Sequence, residues 1–140
     1  MLAIRPVVLL VQPERDDRDM YAEYLSRRGL TPICVQEGLL ALKLARDADA
    51  IVTDLLLPGP VDGQAVIERL RSDAYTKHKP IVVLTVCAWV QDEARARHAG
   101  CDTFLSKPCL PHVLLREIRR LLRPTPAERP GRGAAHASGL

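Results

Sequence analysis

Aromatic side chains are scarce in this sequence: one Trp, three Tyr and one Phe, 4% of 140 residues. A core must therefore be built from aliphatic side chains. No apolar run reaches the roughly 18 residues that a membrane-spanning helix needs. The N-terminus also lacks the basic-then-apolar pattern of a secretory signal. Charge of one sign is in short supply too. The net charge is +3, and residues 123 to 140 hold three Arg against one Glu. The rest of the chain is nearly neutral and lacks the strong field of a nucleic-acid binder. The four cysteines, Cys34, Cys87, Cys101 and Cys109, come with no sign of secretion. They are expected as free thiols in a reducing, cytoplasmic setting.

One cysteine pattern invites a metal reading. His98-x-x-Cys101 and Cys109-x-x-His112 have the look of paired ligands. The segment between them, "DTFLS", reads as a strand. Eight extended residues would part the two cysteines by roughly 26 Å, far beyond a tetrahedral zinc site.

What the sequence does contain is alternation. Short runs rich in Val, Ile and Leu occur at 7–11, 32–35, 50–54, 81–85 and 103–105. Near-continuous apolar runs suit strands covered on both faces, as in a parallel sheet. Amphipathic segments lie between them. Residues 17–28 set Met20, Tyr21, Tyr24 and Leu25 on one helical face, closed by Gly29. Residues 38–47 offer Leu39, Leu40, Leu42 and Leu44, and residues 63–72 offer Val66, Ile67 and Leu70. Residues 90–99 form a weaker helix ended by Gly100, and 111–122 opens with Pro111 at an N1-like position. Five strand-helix units predict an α/β fold with a parallel sheet. Residues 1–122 form one domain in this reading. Residues 123–140, rich in Pro, Arg, Gly and Ala, read as a flexible tail.

In such sheets the site lies outside the carboxyl ends of the strands. Gln12 and Pro13 follow the first strand, Asp54 ends the third, Thr85 ends the fourth and Lys107 follows the fifth. A carboxylate, a hydroxyl and an ammonium thus meet at one edge. Together, "IVTDLLLP", "VVLT" and "FLSKP", in this order and spacing, resemble the receiver domain of bacterial two-component response regulators. The resemblance spans about residues 5–122 and includes Arg18 and "MYAEYLSRRG" in the first helix.

The resemblance implies a flavodoxin-like, doubly wound sheet of five parallel strands, order 2-1-3-4-5, with helices on both faces. It implies that Asp54 is the phosphoacceptor, served by a sensor histidine kinase or a phosphotransfer protein. Thr85 and Lys107 would contact the phosphoryl oxygens, and Phe104 would be the switch aromatic. Lys107-Pro108 would be a cis peptide. Mg²⁺ would be held by Asp54, by the Leu56 backbone carbonyl and by an acid pair after the first strand. Gln12 and Pro13 stand where that pair belongs, so Mg²⁺ is expected to bind weakly or not at all. The loop after Asp54, "DLLLPGPVDG", is one residue longer than the family pattern.

Glu14, Asp16 and Asp17 read as acids favoured by a helix N-terminus. A standing Asp54–Lys107 ion pair is expected to replace part of the metal's charge. The four histidines, His78, His98, His112 and His136, read as surface residues. A downstream protein would meet the helix 4–strand 5–helix 5 face, around Trp89, Phe104, Val113 and Leu114. A homodimer is also compatible with the resemblance, whereas membrane and nucleic-acid partners are not expected.

The chain is thus expected to be a stand-alone receiver protein and not an enzyme. Two readings stay open. In one, Asp54 still accepts a phosphoryl group. In the other, the domain is a pseudo-receiver, an interaction module independent of phosphate. A haloacid-dehalogenase-like phosphatase would want a second Asp two residues after Asp54, where Leu56 stands. A flavodoxin would want a Ser/Thr/Gly-rich phosphate cradle in the first βα loop, which is missing.

Overall fold

A computed structural model of the protein describes residues 4–123. Five strands form one parallel sheet: β1 (Val7–Val11), β2 (Thr31–Val35), β3 (Ala50–Thr53), β4 (Ile81–Thr85) and β5 (Thr103–Ser106). Their order is β2-β1-β3-β4-β5. The helices are α1 (Arg15–Arg27), α2 (Gly38–Leu44), α3 (Gly63–Ser72), α4 (Val90–Ala99) and α5 (Pro111–Leu122). This is the doubly wound, flavodoxin-like arrangement anticipated from the sequence. The expected tail beyond Arg123 lies outside the described residues. Among the described residues, no helix is long and apolar enough to cross a membrane.

The sheet separates two apolar layers, and strand alternation sorts the side chains between them. Leu9, Val11, Ile51 and Val83 face α2, α3 and α4. Val8, Leu10, Val52 and Leu84 face α1 and α5, meeting Tyr21, Leu25, Leu114 and Ile118. Central strand β1 is therefore covered on both faces, and Val8 through Val11 are fully buried. Truncating a side chain such as Leu10 to Ala should cost about 2–5 kcal/mol in such packing.

Two helix faces differ from the sequence expectation. In α2, Leu39 and Leu40 are exposed, while Ala41 and, in the following 3₁₀ turn (Ala45–Asp47), Ala45 are buried. Residues four apart share a helical face, and the alanines let that face approach the sheet closely. Leu39 and Leu40 are left outside, while Leu42 and Leu44 are half-buried against this layer. In α1, Met20 is exposed although its neighbours Tyr21 and Leu25 are buried.

The helices are not equally anchored. α3 buries Gly63, Val66, Ile67 and Leu70. α4 buries only Ala96, and its remaining side chains are charged, polar or small apart from the exposed Val90. The low apolar content of residues 90–99 thus becomes a loosely held helix beside the site.

Candidate functional site

The strand order reverses direction of winding between β1 and β3, so their carboxyl ends flank the crevice where ligands bind in this architecture. Asp54 directly follows β3 there and is 4% exposed. Its Oδ1 accepts a hydrogen bond from the Thr85 hydroxyl at 2.6 Å and another from the Leu56 N–H at 3.0 Å. Its Oδ2 accepts only from the Lys107 ammonium, at 3.4 Å. Adjacent strand ends thus bring the three expected residues together. The Lys107-Pro108 peptide is cis, as the resemblance implied.

The backbone around Asp54 is tightly confined by α3. A Cβ on Gly63 would lie 2.1 Å from the Asp54 carbonyl oxygen and 2.5 Å from the Leu55 Cα. Only glycine permits this approach, which lets the Gly63 N–H reach the Leu55 carbonyl at 3.0 Å. Asp62 starts α3 by accepting from the Ala65 N–H at 2.9 Å. The longer β3–α3 loop is absorbed before that point, at Gly59, whose φ of +88° suits glycine.

Gln12 occupies the equivalent strand end of β1 and is fully buried. It follows the alternation of Val8 and Leu10 onto the α1/α5 side. Its Nε2 reaches across to the Leu84 carbonyl at 3.4 Å, while its Oε1 has no hydrogen-bond partner. The Gln12 and Pro13 carbonyls accept from one guanidinium nitrogen of Arg18, at 2.9 and 3.3 Å. Arg18 therefore ties the first turn of α1 to the end of β1, and the N–H that Pro13 lacks is not required by the sheet.

Asp17 stands in the first turn of α1 as expected, but its carboxylate has a further partner. Glu14 takes the N-cap position without a side-chain capping bond. The Asp17 carboxylate reaches Lys107 Nζ at 2.8 Å, closer than Asp54 does. The expected Asp54–Lys107 pair is present but is the looser of two. Helical position alone gives no hint of this contact, because 90 residues separate Asp17 from Lys107.

Beside Lys107 an open, mainly apolar groove is lined by Met20, Tyr21, Val86, Pro108, Leu110 and Pro111. The Tyr21 hydroxyl donates to the Cys109 carbonyl at 2.5 Å. Burial, then the negative charges of Cys109 and Asp17, push the Tyr21 hydroxyl up to about 12. Burial also raises the Cys109 thiol.

Other expected residues stand apart from this cluster. Phe104 is half-buried against the α2/α3/α4 layer. Trp89 is 72% exposed, and Val90 and Val86 beside it are also exposed. Leu114, expected on a partner-binding face, is fully buried in the core instead. All four cysteines are free, and no group of three or more His, Cys, Asp or Glu among the described residues is arranged to hold a metal. His78, His98 and His112 are exposed, and His136 lies outside the described residues.

Known proteins resemble this chain in both sequence and architecture. The family model of the response regulator receiver domain matches residues 8–119. The polar-differentiation response regulator DivK of Brucella ovis is 33% identical over 103 residues, covering 72% of this chain and 83% of its own. The chemotaxis response regulator CheY4 of Vibrio cholerae superimposes with a TM-score of 0.77 at 25% identity, over 84% of this chain and 99% of its own. The receiver domain of the sensor histidine kinase PA1611 of Pseudomonas aeruginosa, solved with a magnesium ion in its active-site cleft, gives 0.78 at 26% identity. That match covers 85% of this chain and 98% of the other. With its sheet order, its strand-end Asp, Thr and Lys and a family match over most of its length, this chain belongs to the response regulator receiver domains of two-component signalling.

Proposed function

We propose that Asp54 is the phosphoacceptor of this receiver and takes its phosphoryl group from a histidine kinase or a phosphotransfer protein. The observation that carries the reading is the division of labour at the Asp54 carboxylate. Oδ1 is occupied by Thr85 and Leu56, whereas Oδ2 meets only Lys107, at a long 3.4 Å. Oδ2 is the freer nucleophile. It would attack the phosphorus of a phosphohistidine, and the electron pair of the breaking P–N bond would leave with the imidazole. The Thr85 hydroxyl and the Lys107 ammonium are placed to donate to phosphoryl oxygens, and such pre-positioned donors are the main source of catalysis in phosphoryl transfer. The groove beside Lys107 offers an apolar seat for the donor protein.

The residues present do not fit a tightly held Mg²⁺. That ion favours carboxylate oxygens in near-octahedral array. Gln12 contributes one neutral oxygen, Pro13 none, and the carboxylate of Asp54 already has three donors. Metal dependence is therefore expected to be weak. Output would pass to a protein partner through α4, β5 and α5, where Trp89, Val90, Phe104 and Val113 offer apolar surface.

A phosphate-independent pseudo-receiver is the second reading. It is favoured by the same Gln12-Pro13 pair and by an Asp54 whose charge is already compensated. Intact-mass measurement after exposure to a histidine kinase or acetyl phosphate separates the two. A gain of one phosphoryl group, lost in Asp54→Asn, supports the first. No gain, with partner binding unchanged in Asp54→Ala, supports the second.

A further inference from the structure

We infer that Asp17 is a positioning residue: it is the principal holder of the Lys107 ammonium in the resting site, leaving Asp54 the looser contact, and it yields the ammonium when a phosphoryl group arrives. This rests on the reading of Asp54 as phosphoacceptor. Lys107 has a side chain only 9% exposed, so its charge is largely stripped of water and must be met by protein. Two carboxylates meet it, Asp17 at 2.8 Å and Asp54 at 3.4 Å. Charge-assisted N–H···O bonds are strongest at about 2.7–2.9 Å, so Asp17 is the principal holder.

The strand end explains why Asp17 matters here. With Gln12 and Pro13 after β1, no acid from that position competes for the ammonium. Asp17 enters from the next turn of chain, fixed by the neighbouring Arg18 guanidinium on the Gln12 and Pro13 carbonyls. Its own side chain is 34% exposed, against 5% for Asp54. Asp17 can therefore be rehydrated when it releases Lys107, whereas Asp54 cannot. Asp17, Lys107 and Asp54 together carry one net negative charge, which repels an anionic phosphoryl donor. Neutralising Asp17 removes that repulsion and frees the ammonium for the phosphoryl oxygens.

Acetyl phosphate is the probe. Asp54 Oδ2 forms the new O–P bond, the P–O bond to the acetyl group breaks, and acetate leaves with the electron pair. Labelling is followed by intact mass at sub-saturating donor for the unmodified protein, Asp17→Asn, Asp17→Glu and Asp54→Asn. Asp17→Asn should label roughly three- to tenfold faster, as expected for removing one like charge from a focused site. Asp17→Glu, which keeps the carboxylate, should stay near the unmodified rate. In parallel, hydrogen exchange of the Lys107 ammonium, read by ¹⁵N NMR, should quicken more in Asp17→Asn than in Asp54→Asn. Equal labelling rates in Asp17→Asn and the unmodified protein overturn the inference, as does a larger effect of Asp54→Asn on the ammonium. If no protein gains mass, the phosphoacceptor reading falls and takes the gating role with it. The ammonium exchange then still decides which carboxylate holds Lys107.

Discussion

Restoring the missing acids, by Gln12→Asp together with Pro13→Asp, should make the fold depend on Mg²⁺ far more than the unmodified protein is expected to. Residue 12 and Asp54 are neighbours on adjacent strands, on the same side of the sheet, so their charges would sit about 5 Å apart. At an effective dielectric of about 20, that like-charge pair costs about 3 kcal/mol. Relief of the orphaned Gln12 Oε1 returns about 1 kcal/mol of this. The acid at position 13 adds little, because Pro13 is only half-buried and solvent screens it. The double variant should therefore lose about 2 kcal/mol in chelator-treated buffer, near 8 °C in Tm for a domain of this size. Mg²⁺ at a hundred times its Kd should return about 2.7 kcal/mol. Thermal unfolding by circular dichroism, with EDTA and with millimolar Mg²⁺, measures both. The unmodified protein should shift by less than about 1 °C, since a ligand held weakly at the concentration used gives little linkage. A rise of several degrees in the unmodified protein would refute the reasoning, as would a double variant that Mg²⁺ leaves unstable.

Three other perturbations probe the surroundings of the site. Gly63→Ala forces a methyl group into the Asp54 carbonyl and should lower stability by about 1–3 kcal/mol or more in urea unfolding. The Cys101 thiol is pushed up from 9.0 to about 11, mainly by burial, so it ionises more readily once unfolded. Its contribution is complete below pH 9 and is lost as pH rises toward 11. Cys101→Ala should flatten the alkaline decline by about 2 kcal/mol between those limits, beside a Tyr21 component that continues to about 12. Amide hydrogen exchange should be faster through α4 than through α3, because α4 fully buries Ala96 alone whereas α3 buries four residues.

The parts of the fold that the sequence made legible are those where one physical signal dominated. Buried strands wrote themselves as Val/Ile/Leu runs, and α5 was bounded by Pro111 at its start. Gly29 and Gly100, with φ of +94° and +126°, marked the ends of α1 and α4 for the reason glycine usually does. The strand-end positions of Asp54, Thr85 and Lys107 followed once the parallel order was inferred. In α2 four leucines outweigh two alanines in any apolar pattern, yet close packing selects Ala41 and Ala45 for full burial, with Leu42 and Leu44 half-buried and Leu39 and Leu40 outside. The Asp17–Lys107 contact had no local signature. It depends on how the turn after β5 brings Lys107 against the first turn of α1, which only the folded chain specifies. Gln12 could be read as a missing charge, but not as a buried amide with one idle oxygen.

The chain carries a single tryptophan, and the fold leaves it 72% in solvent at the entrance to α4. That placement gives the protein one optical reporter, free of overlap from other indoles. In the isolated domain its emission should be red-shifted and readily quenched by acrylamide. Closure of the β4–α4 loop, or a partner laid over it, would move the band to shorter wavelength and shield it. The proposed route of output is thus also a surface that can be followed in real time without a label.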